Sequence, residues 1–155
     1  MKNTSAYWIY LAAAIAACGA LIHLGAMAGG AEWDAFFNAP PAVVASARAG
    51  TWLAPASAAA IALLMAICGA YACSAAGLLR RLPLLRTALA SIAALCLLRA
   101  LILVPLAVNH SELRNVFEVV AAIVWGLAGI GFTTAFVNVQ RSSRQPRSVG
   151  TRAHG

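Results

Sequence analysis

Five residues carry chemistry that their surroundings make costly. His23, Arg99 and Glu118 each stand inside a long apolar run, and Glu32 and Asp34 closely follow the first of these runs. A charge at bilayer depth costs about 3 kcal/mol unless it is paired or faces a polar interior. Arginine and carboxylate match each other geometrically, fork to fork. An imidazole beside them is able to titrate, ligate a metal or donate a hydrogen bond. Together these types suit recognition of a small ligand, an ion or a lipid headgroup. Each also has a plainer use. Glu118 has Arg114 four residues before it on the same helix, Arg99 has a stem long enough to reach headgroups, and His23 needs only one bond to a neighbouring helix.

Other chemistries find less support. No second ligand stands at metal spacing from His23. Haem requires axial ligands at one level, and the other candidate, His110, lies in a connection. Cys18, Cys68, Cys73 and Cys96 all lie in apolar runs without C-x-x-C spacing, and read as small hydrophobes. No Ser-His or Cys-His arrangement follows from spacing, so an enzyme is not indicated and the cofactor is unknown.

The elements that must hold these residues are apolar helices. Of 155 residues, 63% are hydrophobic and 10% charged, against about 25% charged in a soluble domain. Runs of about 20 apolar residues, enough to cross a bilayer, cover roughly 7–28, 53–79, 87–108 and 113–139. An outer connection spans 29–51, and a basic tail over 140–155 is expected to be disordered. The fold class is all-α: a four-helix transmembrane bundle forming one domain over 1–139. Pro41 is suited to open a short helix in the outer connection, where its missing N–H has no partner to lose.

The net charge of +7 is spread over helix ends and forms no basic face, so nucleic acid is not an expected partner. Lys2, Arg80, Arg81, Arg86, Arg141, Arg144, Arg147 and Arg152 flank one side of the spans, against Arg48 and Arg114 on the other. By the positive-inside rule both termini face the cytoplasm, in an inner membrane. The first run is too long for a signal-peptide core, and is read as retained.

That topology puts the polar residues together. Arg99 lies about 13 Å from the outer end of its span and Glu118 about 8 Å, at 1.5 Å per residue. His23 lies at a depth similar to Glu118. The three are expected to line an outward-facing polar pocket, with Glu32 and Asp34 above it. Pro105 is expected to kink or loosen the third span just outside Arg99. Helices in lipid associate through small residues, here Ala12, Ala16 and Gly19, the Gly25/Gly29 pair, Ala62 and Gly69, and Gly126, Gly129 and Gly131.

The layout of His23, Gly29-Gly30, Trp33 and Phe36-Phe37, followed by the 77–86 connection, resembles small uncharacterised four-span proteins of bacterial inner membranes. The likeness extends to about Val139 and implies the fold without an activity. His23 ahead of Gly29-Gly30 also resembles bacterial copper-resistance membrane domains, whose further histidines are missing here. The function expected from these residues is a small-ligand, ion or lipid binding or transport-accessory module in the bilayer. The alternative is a structural subunit that contacts another membrane protein or its own copies. A haem- or metal-dependent redox protein ranks below both.

Overall fold

The computed structural model describes residues 2–109 and 116–144. Five helices follow one another: α1 (Lys2–Phe36), α2 (Pro41–Arg48), α3 (Leu53–Ala75), α4 (Leu85–Asn109) and α5 (Val116–Arg144). All but α2 are long and apolar enough to cross a membrane. No strand occurs among the described residues.

Small residues decide how the long helices meet. A Cβ placed on Gly131 would sit 2.6 Å from that of Ala12 and would press on the Trp8 carbonyl. Only glycine lets α5 come this close to α1. Gly129 similarly admits Leu97 of α4, while Gly69 rests on Ala16 and Gly19 on Met65. These pairs run in opposite sequence directions, so α1–α3, α1–α5 and α4–α5 are all antiparallel. Round the bundle the order is α3, α1, α5, α4. The consecutive helices α3 and α4 share only a thin contact, so their short connection does not make them close partners.

The sealed core fills one half of the bundle. Ile9 and Ala12 of α1, Ala72 of α3, Leu89 and Cys96 of α4, and Phe132 of α5 belong to it, and Phe132 and Leu89 are the largest fully buried side chains. The described chain ends lie in the same half, where Asn138 bonds to Ser5 across α5 and α1. The connection between α3 and α4 is fastened beneath this core. Ser74 donates to the Arg80 carbonyl at 3.1 Å and accepts the Leu82 N–H at 3.2 Å.

Outside the core the surface is apolar. Leu21 is 67% exposed and Leu101 68%, and Leu63, Leu64, Leu95, Leu98, Val120 and Ile123 are exposed with them. A soluble monomer rarely exposes continuous apolar area beyond a few hundred Å². Lipid removes that cost.

Three elements differ from the expected layout. The first helix runs on to Phe36, because its break comes at Gly30 (φ 67, ψ −159), a conformation that glycine alone adopts readily. Beyond the break the chain doubles back and lays Trp33 on Gly25 and Gly29. That glycine pair therefore seats an indole of its own helix, where the spacing suggested a neighbouring helix. The basic tail is helical as far as Arg144: Ser142 and Ser143 bond back to the Asn138 and Gln140 carbonyls, and Arg141 and Arg144 favour the negative end of the helix dipole. Pro105 lies inside α4, which reaches Asn109, so the proline does not end the helix. Pro41 does open α2 at its first position.

Candidate functional site

The half of the bundle opposite the chain ends holds the intramembrane charges. Arg99 lies in the second half of α4, and Glu118 lies in the first turn of α5. Antiparallel packing of α4 and α5 lets the two side chains meet. Arg99 Nη2 donates to Glu118 Oε2 at 3.0 Å. The carboxylate's other oxygen, Oε1, accepts from Asn38 Nδ2 at 3.3 Å. With one oxygen turned to each donor, the pair meets at a single point, without the two parallel bonds of a fork-to-fork match.

Asn38 reaches Glu118 because of how α1 ends. Its φ of 56 is left-handed, a conformation asparagine tolerates better than most residues and one that commonly closes a helix. The Phe37 ring lies 6.5 Å from that of Phe117, edge to face, so the 37–39 turn is braced against the start of α5. Glu118 is 8% exposed, whereas the Arg99 side chain is 40% exposed. The acid is thus enclosed and the base stands at the rim. Among the described residues Glu118 is the one side-chain partner of Arg99. A guanidinium has five N–H donors, so among the described residues most of these have no side-chain acceptor.

Neither His23 nor Asp34 makes a hydrogen bond or ion pair with Arg99. His23 is half-buried on α1, and the charge close enough to act on it is Asp34. Asp34 is 8% exposed and lines a cavity of about 190 Å³ between the end of α1, α2 and the start of α3. Glu32 is exposed. Of the five expected site residues Arg99 and Glu118 are in direct contact, Asp34 lines the cavity, His23 is half-buried on α1 and Glu32 is at the surface. His110, Glu112 and Arg114 lie outside the described residues, and so does the alternative pairing of Glu118 with Arg114.

Two features escaped the sequence reading. Asn38 was the first, although an asparagine between an aromatic helix end and Ala-Pro-Pro is a sound signal for a helix-closing turn. The second is the meeting of Cys68 of α3 and Cys96 of α4 around the same core, which spacing along the chain cannot show. Among the described residues no group of three or more His, Cys, Asp or Glu side chains is placed to hold a metal ion. Compared with protein-family models, curated proteins and solved structures, the chain gives no significant match.

Proposed function

We propose that this chain is a multi-pass protein of the inner membrane, with both termini cytoplasmic, that binds a small anionic group through Arg99 at its outer half. The group is a lipid headgroup phosphate or a small free anion, and the protein serves as a binding or transport-accessory module. The observation that carries this reading is the asymmetric ion pair. A structural arginine in a span is expected to be enclosed with its acceptors. Here Asn38 bonds to Glu118, and Glu118 holds through one bond a guanidinium whose side chain is 40% exposed and which has no other side-chain acceptor among the described residues. Such a fork is suited to phosphate or carboxylate oxygens. The orientation rests on the eight basic residues that flank the side of the chain ends.

The test is retention of anionic lipid. The protein is reconstituted in phosphatidylcholine nanodiscs containing phosphatidylglycerol, released, and weighed by native mass spectrometry. Wild type should keep phosphatidylglycerol, Arg99→Gln should lose it, and Arg99→Lys should keep part, since an ammonium supplies charge without the planar fork. Displacement by inorganic phosphate would identify a free anion as the ligand. Equal retention by wild type and Arg99→Gln would remove the proposal.

A further inference from the structure

We propose a second binding site, for a small organic ammonium ion, in the cavity that Asp34 lines between α1, α2 and α3. Its lining includes none of Asn38, Arg99 and Glu118, and it has the opposite charge preference.

Three observations lead to it. The first is the carboxylate itself. Asp34 is more than nine-tenths buried, and among the described residues its side chain makes no hydrogen bond or ion pair. No side-chain oxygen among those residues is both sealed from solvent and unbonded. Each of its carboxylate oxygens therefore keeps some exposure, and Asp34 belongs to the wall of the cavity. The second is the wall, to which Ala26, Met27 and Gly30 of α1, Ala47 of α2, and Ala54 and Ala58 of α3 contribute. The only other polar side chain on it, Thr51, is engaged with the Ser46 hydroxyl at 2.7 Å. The third is size. About 190 Å³ compares with the roughly 150 Å³ of a cavity that accepts benzene, so it suits a ligand of a few carbon atoms.

One carboxylate in an apolar pocket selects among cations. A hard metal ion needs about six oxygen ligands, and this wall offers one acidic side chain. An alkylammonium gains a charge-assisted bond to Asp34 and buries its carbons against alanine and methionine. His23 does not line the cavity.

The cavity also follows from the fold. Gly30 breaks α1 and turns Asp34 inward. Ser46 accepts the Ala54 N–H at 3.0 Å and so joins α2 to the start of α3, forming the far wall.

The experiment uses the full chain in detergent and follows thermal unfolding in n-butylammonium chloride, with n-butanol and sodium chloride as controls. The ammonium should raise the Tm saturably, and neither control should do so. Asp34→Asn should weaken the ammonium affinity at least about tenfold, as expected on losing a charge-assisted bond. Ala47→Leu leaves the carboxylate in place but fills the space from α2, and should weaken it likewise. It decides the matter if Asp34→Asn does not fold. Saturating inorganic phosphate should leave the ammonium affinity of wild type unchanged, which separates this site from the anion site. No saturable shift in wild type, an equal shift with n-butanol, or full affinity in either cavity variant would overturn the proposal.

Discussion

Glu118 is enclosed, and its carboxylate is bonded by Arg99 of α4 and by Asn38 of the turn after α1. Arg99→Leu removes the cation and leaves a buried carboxylate beside Asn38, which should cost about 1–3 kcal/mol. Adding Glu118→Gln should recover part of that loss, because a neutral amide still accepts from Asn38 and no longer needs the guanidinium. A double-mutant cycle measured by reversible unfolding in mixed micelles reads the coupling directly. A coupling near zero would mean that Arg99 is held by lipid alone. Both partners were legible in the sequence, since a charge within an apolar run identifies itself. Asn38 was not, because nothing along the chain shows that the turn after α1 lands on the start of α5.

The helices of this bundle meet where side chains are smallest, and their glycines are not equivalent. At Gly131 an added Cβ meets Ala12 and the Trp8 backbone, neither of which can swing aside. Gly131→Ala should therefore push α5 from α1 and cost about 1–3 kcal/mol. At Gly126 the nearest atom to an added Cβ is the Ala100 methyl carbon at 3.8 Å, an ordinary contact. Gly126→Ala should stay within about 0.5 kcal/mol of wild type. Denaturation of both variants side by side is the check, and equal losses would refute the assigned close approach. A small-residue stripe in the sequence shows that close packing is available. It does not show which glycine meets a backbone, nor that Gly25 and Gly29 receive Trp33 of their own helix.

At the scale of the whole molecule, the bundle is sealed in the half that carries the chain ends and polar in the other half. That division gives the proposed orientation its consequence: the core faces the cytoplasmic leaflet, and both candidate sites face the outer one. A fluorescent reporter that matures only in the cytoplasm should light up when fused after Gly155. Alkaline phosphatase, active only outside, should work when fused after Ala39. The reverse pattern would invert the topology and move both sites to the cytoplasmic side. The exposed belt of leucine and isoleucine makes the same molecule aggregate in water, so each of these measurements requires detergent or lipid.

Hydropathy alone set the number of spans, because apolar length is a local property and each helix satisfies its own backbone in lipid. Isolated charges, for the same reason, pointed to Arg99 and Glu118 without reference to any neighbour. Helix order round the bundle, the lack of any bond from His23 or Asp34 to Arg99, and the Asp34 cavity were decided by tertiary structure. They depend on Gly30 turning the chain back, on Gly131 admitting α1, and on α3 and α4 standing apart although joined by a short connection. Each is a contact between residues distant in sequence, where depth in the membrane is shared but direction round the bundle is not.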